Sequence, residues 1–159
     1  MRGVYTAAYR IAGVTTGKTL MYITPATDKP VEILSASVTN ENNESNEQVL
    51  CGFQRVTTLG TPTATTVTPS KHEPGDQAAA ATVKANVTAS EPTYGSIAQG
   101  ADIIDAKGLE GSPSLSGWQF PPTPEERFTI KSGDTYGLRL VNTIASADLV
   151  IRVTFREMS

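Results

Sequence analysis

The sequence predicts an all-β fold, a jelly roll or β-sandwich of two antiparallel sheets with long loops and little helix. Three observations support this prediction. Apolar and polar residues alternate with a period of two in several short runs. Turn-forming residues separate these runs, and helical periodicity is almost absent. No internal repeat occurs at a period of about 20 to 50 residues, which argues against solenoids and propellers.

The clearest strand patterns lie near the carboxyl terminus. From 149 to 155 every second residue is apolar and its neighbours are mostly polar, which predicts a strand with one buried face. The runs 128–130 and 136–140 alternate in the same way, and residues 132–134, Ser-Gly-Asp, supply a turn between them. Short turns between three successive strands predict antiparallel pairing.

The first sixty residues contain weaker strand patterns at 19–24, 30–40 and 48–58. Residues 30–40 are apolar on both parities, which predicts a strand that is covered on both faces. A polar connector at 40–46 separates this run from the next one. We therefore predict a long hairpin made of 30–40 and 48–58, with a solvated tip.

Residues 59–101 differ from the rest of the predicted single domain, 1–159. This long loop region holds four prolines, four consecutive alanines and few large apolar residues. It is too long for an ordinary connection, so we expect short elements within it or packing against something outside the protomer. Residues 76–81 form either a helical turn capped by Asp76, or a small-residue strand or loop at a subunit contact.

Composition excludes several classes of partner. The net charge is −3, and the polar residues are mainly hydroxylic, so we expect no binding to nucleic acid. The apolar runs are far shorter than the ~20 residues of a membrane span, and the amino terminus lacks the apolar core of a signal peptide, so we expect no membrane association. A single Cys and a single His exclude an internal disulfide and a zinc cluster of nitrogen and sulfur ligands.

Candidate catalytic groups are few. His72 lies between Pro69 and Asp76 among turn residues, which favours an exposed loop over a general base. Cys51 lies inside a predicted strand, which favours a small buried hydrophobe. The carboxylate pairs, Glu125 with Glu126 and Asp102 with Asp105, match neither a convergent acid–base pair nor a calcium loop. We predict no catalytic residue, no cofactor and no metal, and therefore no enzyme.

The cluster Trp118-Gln119-Phe120-Pro121-Pro122 is the main aromatic motif. If exposed, it would anchor an interface; if buried, it would belong to the core. The candidate protein-interface residues are Trp118, Phe120, Pro121, Pro122 and His72.

The order of several motifs carries a family resemblance. They are Pro30-Val31-Glu32-Ile33-Leu34, Val67-Thr68-Pro69, Glu73-Pro74-Gly75-Asp76, Gly117-Trp118, Pro122-Thr123-Pro124-Glu125-Glu126-Arg127 and Gly137-Leu138-Arg139-Leu140. From about Val4 to the end, the chain resembles the capsid decoration, or cement, proteins of tailed bacteriophages. The resemblance implies a jelly-roll protomer that forms a homotrimer on the outer surface of the virion head. Such a protein is made in the host bacterial cytoplasm and clamps neighbouring subunits of the major capsid protein.

Two other functions remain open at this point. A jelly-roll module that binds carbohydrate for host attachment, or a tail-associated virion protein, would share the same fold class. A hydrolase that uses His72 with a nearby carboxylate is the least favoured hypothesis.

Overall fold

The computed structural model describes residues 3–41, 49–95, 103–109, 117–120, 123–144 and 146–158. These residues form thirteen strands and, as their one helical element, a 3-10 turn at Pro124–Glu126. The strands are β1 (Val4–Val14), β2 (Lys18–Thr24), β3 (Val31–Asn40), β4 (Val49–Thr58), β5 (Thr63–Val67), β6 (Ser70–Lys71), β7 (Thr82–Ala89), β8 (Thr93–Tyr94), β9 (Ile103–Leu109), β10 (Gly117–Phe120), β11 (Thr129–Ile130), β12 (Tyr136–Leu140) and β13 (Ala147–Glu157).

The strands form two sheets in which every pairing is antiparallel. Sheet A has the order β10-β3-β13-β1-β6, and β11 also pairs with β3. Sheet B has the order β5-β7-β2-β12-β4-β8, and β9 also pairs with β4. The four-strand halves β10-β3-β13-β1 and β2-β12-β4-β9 together have the strand order of a jelly roll. The predicted fold class is confirmed.

The hydrophobic core lies between the two sheets. Strand β13 shows the predicted alternation, because Leu149, Ile151, Val153 and Phe155 are all fully buried. An aromatic cluster occupies one part of the core, with ring centroids 5.2 to 6.0 Å apart. Its members are Phe53, Phe120, Phe128 and Tyr136.

A β-bulge explains why strand β3 is apolar on both parities. Thr154 of β13 pairs with Ser35, whereas the next residue, Phe155, pairs with Ile33, so Leu34 is an extra residue. The bulge shifts the inward parity from odd positions before it to even positions after it. Val31 and Ile33 therefore face the same core as Ala36 and Val38. The bulge, and not cover on both faces, accounts for the pattern.

The predicted hairpin between 30–40 and 48–58 is wrong. Strand β3 belongs to sheet A and pairs with β13, while β4 belongs to sheet B and pairs with β12. The predicted pairing of the three carboxyl-terminal strands with one another is also wrong, because β11, β12 and β13 each pair, antiparallel, with other strands. Alternation in the sequence locates a strand without revealing its partner, because pairing depends on contacts between distant parts of the chain.

The described part of the long loop region, 59–95, contains four strands, as expected for a segment of this length. Strands β5 and β7 extend sheet B beyond β2, β6 pairs with β1 in sheet A, and β8 pairs with β4. Residues 76–81 form a loop and not a helical turn. Glu157 holds this loop, because its Oε1 accepts hydrogen bonds of 2.7 Å from the backbone N–H groups of Ala80 and Ala81.

We expect Glu157→Ala to lower the free energy of unfolding by about 2 kcal/mol, since it leaves two backbone N–H groups without their acceptor. Glu157→Gln keeps an acceptor oxygen, so its loss should be smaller. Urea denaturation of both variants measures the difference, with the exposed Glu125→Ala as a control that should change little. Equal losses for the Ala and Gln variants would contradict the assigned role of the Oε1 acceptor.

Candidate interaction face

One side of sheet A faces the core, and the other side faces away from it. Ala7, Val38 and Ile151 are fully buried or nearly so on the core side, and alternation places their neighbours on the opposite side of the sheet. Nine residues on the central strands β1, β13 and β3 define the outer face of sheet A. They are Thr6, Ala8, Arg10, Val150, Arg152, Thr154, Ser35, Ser37 and Thr39.

Backbone pairing arranges these residues in three rows across the strands. Thr6, Thr154 and Ser35 form one row, and Arg10, Val150 and Thr39 form another. The middle row consists of Ala8, Arg152 and Ser37. Apart from Arg10 and Arg152, every side chain on the face is short, so few side chains project far from the sheet.

His72 lies at one edge of this face. Its Nε2 is 2.8 Å from the Thr6 hydroxyl oxygen, which is 2.9 Å from the hydroxyl oxygen of Thr154. The backbone N–H of His72 donates to the carbonyl of Val4, which fixes its place beside β1. The side chain is exposed, as the turn residues around it predicted. The carboxylate of Asp76 accepts a hydrogen bond of 2.8 Å from the N–H of Gly3.

Two arginines, one within the face and one beyond its end, form ion pairs within the chain. Arg10 forms ion pairs with Glu41 and, at 3.2 Å, with Asp148. The hydrogen bond to Glu41 raises the pKa of Arg10 above its usual value. Beyond the end of the face, Arg156 pairs with Glu32 at 2.5 Å.

Arg152, at the centre, differs from both. Its side chain is exposed, and it has no ion pair or hydrogen bond with any residue that the structure describes.

The structure describes only part of the aromatic motif at 118–122. Phe120 is 6% exposed and contacts Phe53 and Phe128, so it belongs to the core, one of the two alternatives open from the sequence. The backbone of Trp118 lies in β10 opposite Val38. Pro121 and Pro122 lie outside the described residues.

Cys51 is fully buried in β4, where it has the role of a small core residue that its position predicted. Burial raises the pKa of its thiol to about 12. Such a thiol is protonated at neutral pH and is a poor nucleophile.

One cleft lies where β1, β13 and the loop after β6 meet. Its volume is about 210 Å³, and its lining residues are Gly3, Tyr5, Lys29, Asp76, Gln77, Glu157 and Met158. The Tyr5 hydroxyl donates to the carbonyl of Gln77 at 3.0 Å. Burial raises the pKa of Tyr5, and the charges of Glu157 and Asp76 raise it further. The polar groups of this cleft mainly connect the loop to the ends of the sheet.

A second cavity, of about 280 Å³, lies at the start of β2. Its lining residues are Thr16, Gly17, Lys18, Val87, Thr88 and Glu91. The Lys18 ammonium donates to Asn86 Oδ1 at 2.6 Å. Burial lowers the pKa of Lys18, and the charge of Glu91 opposes this shift.

A polar network on sheet B fixes the end of the segment 59–95, and the sequence analysis did not identify it. The Tyr94 hydroxyl lies 2.7 Å from the hydroxyl oxygen of Thr19, which donates to Glu91 Oε2 at 2.6 Å. The guanidinium of Arg139 lies 4.2 Å from the centre of the Tyr94 ring and donates to Gln54 at 2.8 Å. Burial raises the pKa of Tyr94 to about 12.

We expect stability to fall at alkaline pH. Cys51 and Tyr94 both have a folded pKa of about 12, above their ordinary values of 9.0 and 10.0. The folded state therefore favours their protonated forms. The contribution of these two groups to the free energy of unfolding is fully present below pH 9 and is lost between pH 9 and 12. Urea denaturation at a series of pH values measures this decrease. It should begin at higher pH in Cys51→Ala, and an unchanged onset in that variant would contradict the assignment.

The described residues contain no group of three or more His, Cys, Asp or Glu that could hold a metal ion. None of their helical segments has the length and apolar character needed to cross a membrane.

Comparison with models of protein families, with curated proteins and with solved structures finds no match.

Proposed function

We propose that this protein is a non-enzymatic structural protein of a bacteriophage virion. It decorates the outer surface of the head and stabilises contacts between major capsid protein subunits. The observation that supports this proposal most directly is the jelly-roll strand order, which the resemblance in the sequence implies. A fold hosts many functions, so the proposal also depends on the surface that this fold presents.

The segment 59–95 favours a rigid binding module. Its strands pair with both sheets, Glu157 holds its loop at 76–81, and Thr19 holds its end through Glu91 and Tyr94. A protein that bridges shell subunits must keep its contact residues in fixed positions, because ordering them on binding would cost affinity. This segment provides such rigidity.

The outer face of sheet A favours adhesion to another protein. Most of its residues are exposed or half-buried, and it combines hydroxyl groups with arginine, a residue enriched in protein interfaces. A single contact of this kind need not be strong. Many copies on one particle, or three copies in one trimer, multiply weak contacts through avidity.

The experiment is to delete the gene from a phage that carries it and to compare the purified particles. We expect a cryo-electron map of the parent to show the protein on the outside of the head, and the deleted particles to release DNA at a lower temperature. Restoring the gene should restore both properties. The protein's absence from purified heads, or its presence only in the tail, would overturn the proposal.

We expect the isolated protein to be a homotrimer. Sedimentation equilibrium should then give three times the chain mass of 16.8 kDa. Closed cyclic symmetry is common among oligomers and would suit a protein that binds several shell subunits at once. A monomer at micromolar concentration would contradict the trimer. The gene-deletion experiment would still test whether the protein decorates the head.

A further inference from the structure

We propose that the outer face of sheet A is the surface that docks on the shell, and that Arg152 is its anchor and binds a carboxylate of the shell protein. This inference rests on the proposed function and names the contact surface.

Arg152 has the position expected of an anchor. It lies on β13, the middle of the three strands that form the face, opposite Ala8 on one side and Ser37 on the other. Residues that carry most of the binding energy cluster near the centre of an interface, and arginine is over-represented among them. The short neighbours allow a partner to approach the guanidinium closely.

The distribution of charge indicates what the partner supplies. Arg10 and Arg156 have carboxylate partners within the chain, whereas Arg152 has none among the described residues. Its guanidinium therefore keeps its donors available for a planar, bidentate pair with a carboxylate. Burial of such a pair under a docked protein excludes water and strengthens the interaction.

Charge also argues against a second copy that meets this face with its own outer face. Two copies that met face to face about a two-fold axis would present the same surface to each other. Because Arg152 lies at the centre of the face, the two guanidinium groups would then approach and repel. A different surface, with an acidic side chain at the matching place, complements the face.

Binding to heads from the gene-deleted phage tests the anchor. We expect Arg152→Glu to weaken binding by at least about 30-fold, the size typical of an interface hot spot, and Arg152→Ala to weaken it less. The matched control is Arg55→Ala, which removes an exposed positive charge from sheet B. Near wild-type binding by Arg152→Glu would overturn the inference, and so would equal losses in the Arg55 and Arg152 variants.

A second pair of variants tests the face without changing charge. Ala8→Trp adds a large side chain beside Arg152, and Ala89→Trp adds the same side chain at an exposed position of β7 in sheet B. We expect the first variant to lose at least about 10-fold in affinity through obstruction of close packing, and the second to bind as wild type. Tight binding by Ala8→Trp would show that another surface docks.

The outcomes separate this inference from the proposed function. If wild-type protein binds the heads and the Arg152 and Ala8 variants bind equally well, the docking surface is wrong and decoration stands. If wild-type protein does not bind the heads, the proposed function itself fails.

Discussion

Gly137→Ala is expected to lower the free energy of unfolding by about 2 to 4 kcal/mol, because no space exists for the added methyl group. A Cβ atom at this position would lie 2.1 Å from the Tyr94 hydroxyl oxygen and 2.9 Å from the adjacent ring carbon. Tyr94 is held by the hydroxyl of Thr19 and by the guanidinium of Arg139. Moving its ring would break both interactions and loosen the end of the segment 59–95.

Urea denaturation measures the loss, and two comparisons identify its cause. Gly75→Ala is the matched control, since a Cβ atom there meets nothing within 4 Å. In the background Tyr94→Ala the clash is absent, so Gly137→Ala should then cost much less than it does in the wild type. Additive losses from the two substitutions would contradict this explanation.

Phe155→Ala is expected to cost about 3 to 5 kcal/mol, the usual loss when a fully buried aromatic side chain is truncated. Phe155 is 0% exposed, and its ring centroid lies 5.6 Å from that of Tyr5. The cavity would lie between the two sheets, and the surrounding structure relaxes only partly to fill such a cavity. Because domains are stable by only about 5 to 15 kcal/mol, the variant should unfold at a much lower temperature.

A control on the same strand completes this test. Arg152→Ala changes an exposed side chain, so we expect its stability to stay within about 0.5 kcal/mol of the wild type. Thermal and urea unfolding measure both variants. A loss below about 1 kcal/mol for Phe155→Ala would contradict the assignment of this side chain to the shared core. An unchanged stability in Arg152→Ala would also show that its effect on docking is not a folding defect.

Local patterns in the sequence were sufficient to predict the fold class and the burial or exposure of several residues. The alternation along 149–155 predicted the inward and outward sides of β13, because a strand has a period of two wherever it pairs. Turn residues around His72 predicted its exposure, and the position of Cys51 inside a strand predicted its burial. Each of these properties depends on near neighbours in the chain.

Other features depended on contacts between distant residues. The bulge at Leu34 arises in the pairing of β3 with β13, and the placement of β3 and β4 in different sheets corrected the predicted hairpin. The core position of Phe120 had been one of two open alternatives.

Alternation and turn residues lie in consecutive positions, and they were enough to predict that this chain forms strands with one apolar face. The folded chain was needed to show which strands pair, that position 137 has no room for a side chain, and that Arg152 has no carboxylate partner among the described residues. Strand pairing, close packing and charge neutralisation bring together residues that are far apart in the chain. Their spacing in the sequence therefore does not predict which of them are in contact.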